Sequence, residues 1–139
     1  MDRALLDIAI KAALDAGQKI LEIYNNEAIQ VQRKADDSPL TQADVASHHI
    51  ILDALAATNI PVLSEEGRTI PYAERKHWEC LWIVDPIDGT KEFIKRNGEF
   101  TVNIALIKNQ KPIMGVIYAP VLGDLYFSSA ALGAFKIHL

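Results

Sequence analysis

At 139 residues the chain offers one domain's worth of sequence, long enough to bury a core. Half of its residues are hydrophobic and 23% are charged, which excludes an intrinsically disordered chain. A net charge of −4 argues against a nucleic-acid duplex as partner, and a single cysteine, Cys80, excludes an intramolecular disulfide.

The first residues lack a basic segment followed by an apolar block. Asp7, Lys11 and Asp15 interrupt the first helical stretch. Neither a signal peptide nor a transmembrane segment is expected, so the default location is cytoplasmic, compatible with peripheral membrane association. Cys80 lies in an apolar run and reads as a buried, inert thiol.

In chain order, residues 3–24 predict a helix. Leu6, Ile10, Leu14, Leu21 and Tyr24 recur at helical spacing, with Ala13 and Gly17 on the same side. Asp2 is a plausible N-cap, and Asn25-Asn26 marks the end. Residues 29–33 alternate apolar and polar, a candidate strand. Residues 34–41 then form a polar, Pro39-containing loop. Thr41 and Asp44 have the spacing of a helix-start box, and a second helix follows over 42–57, with Val45, His49, Leu52 and Ala56 on one side. His48 and His49 are adjacent and point apart on a helix, so they read as structural. Residues 61–64 are a short strand that ends in Glu65-Glu66-Gly67. A carboxylate at a strand end is a candidate ligand, and an exposed acidic turn is the alternative. Residues 68–79 are polar, contain Pro71 and Trp78, and read as a mobile loop that could act as a lid.

Residues 80–84 are an apolar run, the pattern of a buried strand, and the run stops at Asp85-Pro86-Ile87-Asp88-Gly89-Thr90. Pro86 suits the second position of a tight turn, and Gly89 supplies the freedom to leave it. Asp85 and Asp88 would then face the same side. Two close carboxylates repel each other, and a hard divalent cation offsets that repulsion. Mg²⁺ takes oxygen ligands and keeps several waters, so two carboxylates and a backbone carbonyl such as that of Ile87 suit it. Thr90 adds a hydroxyl, and N–H groups from Gly89 onward would form an anion site if they open a helical turn. Together these parts describe a phosphate-processing centre. The same tetrapeptide is also a good surface turn with Asx-type hydrogen bonds.

Beyond this, residues 93–97 form a short helical piece. Phe100, Val102, Ile104 and Leu106 alternate with Thr101, Asn103, Ala105 and Ile107 in a strand. Asn109-Gln110 turns the chain into a return strand over 113–119. Pro120 ends that strand, Gly123-Asp124 turns again, and strands follow over 125–129 and from Phe135. There is no repeat or linker. The fold class is therefore α+β: two helices packed on a mostly antiparallel sheet. A parallel dinucleotide-binding sheet is disfavoured, because no Gly-x-Gly-x-x-Gly occurs.

The central motif resembles the metal-binding signature of the inositol monophosphatase superfamily, whose members are Mg²⁺-dependent, lithium-sensitive phosphatases. Lys91-Glu92-Phe93 after Gly89-Thr90, then Asn97-Gly98-Glu99-Phe100-Thr101-Val102-Asn103, is similar to the 3'(2'),5'-bisphosphate nucleotidase branch, the CysQ type. The resemblance implies that Glu65 (the bridging ligand), Asp85, Asp88 and the Ile87 carbonyl hold two or three Mg²⁺ ions. It implies that Asp36 and Thr90 activate and orient the attacking water. Asp44, with Glu66 and Thr41, would support the ligands from behind, and Gly89, Thr90 and Asp88 would contact the substrate phosphate. The implied reaction is hydrolysis of 3'-phosphoadenosine 5'-phosphate to AMP and phosphate, which clears a by-product of sulfate assimilation.

The resemblance covers almost all of residues 1–139 but only the N-terminal, metal-binding part of the family fold. Members continue into a second α/β domain with a Trp-Asp motif, whereas here Trp78 precedes Glu79 and Trp82 precedes Ile83. Two further readings therefore stand beside the enzyme. One is a catalytically incompetent Mg²⁺-binding fragment or pseudoenzyme that associates with a partner chain. The other is an inositol phosphate substrate, which the Lys91-Glu92-Phe93 run argues against. The apolar residues 135–139 would expose a sheet edge open to self-association.

Overall fold

The computed structural model describes residues 2–26, 39–67 and 69–139. Among these, four α-helices accompany one six-stranded sheet. Helix α1 spans Asp2–Tyr24, and α2 spans Pro39–Leu55 and runs on into a 3₁₀ turn at Ala56–Thr58. Strand β1 is Val62–Ser64, the short helix α3 is Tyr72–Arg75, β2 is Cys80–Asp88 and α4 is Thr90–Lys95. Strands β3 (Thr101–Lys108), β4 (Lys111–Ala119), β5 (Asp124–Ser129) and β6 (Gly133–His138) follow. The sheet order is β1-β2-β3-β4-β5-β6. Only the β1–β2 pair is parallel, so the sheet is mostly antiparallel, as the alternation of short strands predicts.

The core lies between one sheet face and the α1–α2 pair. Cross-strand rows face the helices: Val84, Ile104 and Val116 in one, Trp82, Leu106 and Met114 in the next. β3 and the first half of β2 bury every second residue, because successive side chains leave a strand on opposite faces. α1 buries Ala9, Ala12, Ala13 and Ala16 between the sheet and α2, and these small side chains allow close approach. At Gly17 the approach is tighter still: a Cβ there would lie 2.3 Å from the Tyr118 ring. At the end of α1, Tyr24, Phe93 and Phe100 pack edge to face with centroids 5.0–5.2 Å apart. Arg96 sits over the Tyr24 ring at 4.2 Å and donates to the Tyr24 carbonyl at 2.9 Å. This cluster ties α4, and with it the motif that precedes it, to the core.

Several expectations are corrected. The second helix begins at Pro39, three residues before the expected Gln42, because proline is well suited to a first helical position, where no N–H is needed. Thr41 therefore lies inside the first turn rather than capping it. The buried face of α2 is Ala43, Ser47, Ile51 and Leu55; Val45, His49 and Ala56 are exposed. On α1 the expected Ile10, Leu14 and Leu21 flank the buried stripe, and Ile20 takes the central place. Asp2 is the first helical residue rather than the one before it. The 68–79 segment carries the four-residue α3. Cys80 is half-buried rather than buried, and burial pushes its thiol pKa up. The candidate strand over 29–33 lies outside the described residues.

Candidate functional site

The central motif is part of a strand rather than a tight turn. β2 continues through Pro86 to Asp88, and its register against β3 slips: Asp85 pairs with Asn103, and Asp88 with Thr101. Three steps on β2 thus match two on β3, which is a β-bulge, a position that tolerates proline. The bulge has a geometric consequence. Residues three apart in a regular strand face opposite sides of the sheet. One extra residue restores both carboxylates to the same side. The Asn103 amide, across from Asp85, donates to Asp88 Oδ2 at 3.1 Å, and the Thr101 hydroxyl donates to Asn103 Oδ1 at 2.9 Å. Thr101 thereby fixes which way the Asn103 amide points.

After Asp88 the chain leaves the sheet through Gly89, at φ +95°, and enters α4 at Thr90. A Cβ at 89 would be strained by that φ and would crowd Phe100 Cα at 3.3 Å. The Gly89 carbonyl accepts from Phe93 N–H at 3.0 Å and closes the first turn, which leaves Thr90 exposed at its start.

Glu65 follows β1 directly. Its N–H donates to the Val84 carbonyl at 3.0 Å, which extends the parallel pairing by one step and places Glu65 beside Asp85. The two acids, with Asn103, line one end of a groove of about 620 Å³ on the sheet face away from α1 and α2. Ile83, Ala105, Gly115 and Ile117 form its apolar floor.

The electrostatics of the group are those of unneutralised acids. Asp85 has its pKa raised to about 6, by burial first and then by Asp88 and Glu65; a hydrogen bond from the Ile87 N–H holds part of that rise back. Asp44, on α2, is raised to about 7 by burial, then by Glu66, Glu65 and Asp85. Oδ1 of Asp44 and Oδ1 of Asp85 are buried with no hydrogen-bond partner among the described residues. None of the described ion pairs involves Asp44, Glu65, Glu66, Asp85 or Asp88. Buried acceptors without donors are costly and rare. All-oxygen donors, orphaned carboxylate oxygens and mutual repulsion are the chemistry that a hard cation completes, so this donor set fits Mg²⁺.

The expected site residues therefore divide. Asp85, Asp88, Glu65, Glu66 and Asp44 are near enough for their charges to couple. Ile87 is buried in the bulge between Asp85 and Asp88. Gly89 and Thr90 adjoin Asp88 in the chain, and Thr41 lies one turn before Asp44 on α2. Among the described residues no three of His, Cys, Asp and Glu converge closely enough to cage an ion by themselves. Asp36 lies outside the described residues. The sequence reading passed over Asn103, Thr101 and Ser47. The first two had a visible signal as polar residues on the outward alternation of β3. Ser47 had none, because a single serine within a helix is unremarkable.

With this geometry in place, comparison with known proteins is informative. A 3'(2'),5'-bisphosphate nucleotidase CysQ of Shigella flexneri is 53% identical over 132 residues, 93% of this chain and 52% of that protein. Its counterpart in Haemophilus influenzae is 36% identical over 141 residues, with 100% and 52% covered. The crystal structure of CysQ from Bacteroides thetaiotaomicron superposes with a TM-score of 0.93 at 55% identity, covering 98% of this chain and 49% of that one. The extragenic suppressor protein suhB of Bartonella henselae gives 0.77 at 29%, covering 96% and 51%. The chain spans about half the length of the curated relatives it matches. No described helix is long and apolar enough to cross a membrane. The model of the Inositol monophosphatase family runs through residues 1–138, so both acidic loops and all the described strands fall within one match, and the chain belongs to that family.

Proposed function

We propose that this chain carries the acidic half of a metal-dependent 3'(2'),5'-bisphosphate nucleotidase that hydrolyses the 3'-phosphate of 3'-phosphoadenosine 5'-phosphate. The observation that carries the reading is the β2 bulge. It sets Asp85 and Asp88 on one side, next to Glu65, with a buried carboxylate oxygen that nothing satisfies. Similarity to CysQ proteins supplies the substrate class.

Glu65, Asp85, Asp88 and the Ile87 carbonyl would hold the metal, two or three Mg²⁺ ions that lithium antagonises. When bound, Mg²⁺ supplies charge for the phosphoryl oxygens and a more acidic water. The chain's own residues do the rest. Asp88 is aimed by Asn103. Thr90, exposed at the start of α4, presents a hydroxyl that with Asp36 would orient and deprotonate the attacking water. Gly89 lets the backbone approach a phosphate where a side chain would obstruct it.

A second reading is favoured by one observation, the exposed edge of β6. In it the chain binds Mg²⁺ without turnover and associates with another chain. β6 is exposed along its length and carries Phe135 and Ile137, an edge suited to strand pairing.

The test is Mg²⁺-dependent phosphate release from 3'-phosphoadenosine 5'-phosphate by the 139-residue chain, with inositol 1-phosphate alongside and Thr90→Ala as control. Turnover that lithium inhibits and Thr90→Ala removes is the expected result. Bound Mg²⁺ without turnover would select the second reading.

A further inference from the structure

We propose that Ser47 and His48, neighbours on α2, are positioning residues that hold the two acidic loops at a fixed distance from each other, so that Glu65 and Asp85 are presented to one cation. The inference rests on the metal-binding reading above.

Each residue grips one loop. Ser47 is fully buried, and its hydroxyl donates to the Pro86 carbonyl at 2.9 Å, across 39 positions of sequence. Pro86 lies in the bulge, where the β3 register skips from Asp85 to Asp88, so it stands opposite no β3 residue in the ladder. A buried carbonyl of that kind needs a donor from elsewhere, and α2 provides it. The bond pins the Pro86–Ile87 peptide, between the two aspartates.

His48 grips the other loop. Its Nδ1 lies 2.9 Å from Ser64 Oγ. Ser64 Oγ also accepts from Glu66 N–H at 3.3 Å, and the Ser64 carbonyl accepts from Gly67 N–H at 3.1 Å. The 64–67 turn is therefore wound around Ser64, with Glu65 at its apex. Gly67 leaves space for the ring: a Cβ there would stand 3.3 Å from His48 Cε1. Consecutive helical residues diverge by about 100°. One therefore reaches the β2 bulge, while the other reaches the end of β1. Asp44, one turn earlier, interacts with Glu66, Glu65 and Asp85, which independently places this part of α2 between the two loops.

A purely structural role would lower stability without altering the site, and the test separates the two. Mg²⁺ alone is titrated calorimetrically into the 139-residue chain and into Ser47→Ala, His48→Leu and His48→Asn. Ile20→Val is the control, a core change on α1 that removes neither hydrogen bond and lowers stability by a similar amount. One hydrogen bond's net contribution predicts that Ser47→Ala and His48→Leu each weaken Mg²⁺ binding about three- to tenfold. His48→Asn, which keeps a polar atom near the Nδ1 position, should stay within about twofold, and so should Ile20→Val. Unchanged affinity in both Ser47→Ala and His48→Leu, or an equal loss in Ile20→Val, overturns the proposal. Amide hydrogen exchange on the metal-free chain judges the inference even if the parent chain binds no Mg²⁺ and the functional reading fails. Ser47→Ala should speed exchange at Ile87–Gly89 only, and His48→Leu at Glu66 and Gly67 only. Exchange unchanged at those amides overturns the proposal.

Discussion

The helix-covered and open faces of the sheet are made from alternate residues of the same strands, yet they are organised on opposite terms. Trp82 and Val84 of β2 are buried against α1 and α2, while Ile83 and Asp85, which alternate with them, face the open groove. On the covered face packing is close: α1 buries four alanines in a row of turns, and a Cβ at Gly17 would run into the Tyr118 ring. On the open face acids are crowded together, and Asp85 keeps an oxygen without a donor. One face supplies the stability that the other spends on a preorganised site. Changes on the covered face should therefore move stability most, and changes on the open face should move metal binding most.

Gly17→Ala is the sharpest way to break the covered face. The new methyl would meet Tyr118 Cε2 at 2.3 Å and Cδ2 at 2.6 Å, inside any real contact distance. Tyr118 is itself buried, so the ring cannot swing away without disturbing its neighbours. Overpacking of this kind costs about 1–3 kcal/mol, to be read as a lower denaturant midpoint. Mg²⁺ affinity measured where the variant is still folded should not change. A variant as stable as the parent would mean that α1 is not held as closely as the structure places it.

The open face is tested by pH. Asp44 and Asp85 have folded pKa values of about 7 and about 6, above an ordinary 3.8. For an acid raised by folding, the native state binds the proton more tightly than the unfolded chain does. Its contribution is complete below the ordinary value and is lost as pH rises through the folded one. The metal-free chain should therefore gain stability as pH falls from 8 towards 6.5. Below that, His48 works the other way, because burial holds its pKa under the ordinary value. Saturating Mg²⁺ should reverse the upper slope, since the cation needs the carboxylates deprotonated. Thermal melts at pH 8 and 6.5, with and without Mg²⁺, give the four values. Asp44→Asn should flatten the metal-free slope.

The sequence made the covered face of the strands legible and that of the second helix much less so. From Phe100 into β3, Phe100, Val102, Ile104 and Leu106 alternate without exception, and all four are buried. The Asn109-Gln110 hairpin was readable through Asn109, a residue type that tolerates positive φ; both turn residues have it, at 50° and 65°. In α2 the strongest apolar residues misled. Val45 is exposed, while Ala43 and Ser47 are fully buried, because close helix–helix contact favours small side chains with little hydropathy signal. The site was half legible. That Asp85 and Asp88 share a side was expected from a tight turn at Pro86; the structure reaches it instead through a bulge that depends on the β3 register, which no local pattern encodes. Asn103 and Ser47 matter through partners 15 and 39 positions away, and such contacts appear only once the chain is folded.

The smallest effect on stability should come from the change with the clearest effect on chemistry. Asp88 is exposed, and its one described hydrogen bond is accepted from Asn103. Asp88→Asn keeps the shape and removes a charge that raises the Asp85 pKa. The surface position limits the stability change to within about 0.5 kcal/mol in either direction. Loss of the Asn103 bond and relief of repulsion at Asp85 pull in opposite directions within that range. Mg²⁺ binding should fall below calorimetric detection, because the cation loses one of the two carboxylates that the bulge brings together. If Asp88→Asn binds Mg²⁺ as the parent does, Asp88 is not a ligand. The bulge would then serve to aim Asp85 alone, and Asp44, with its own orphaned oxygen, would be the carboxylate to change next.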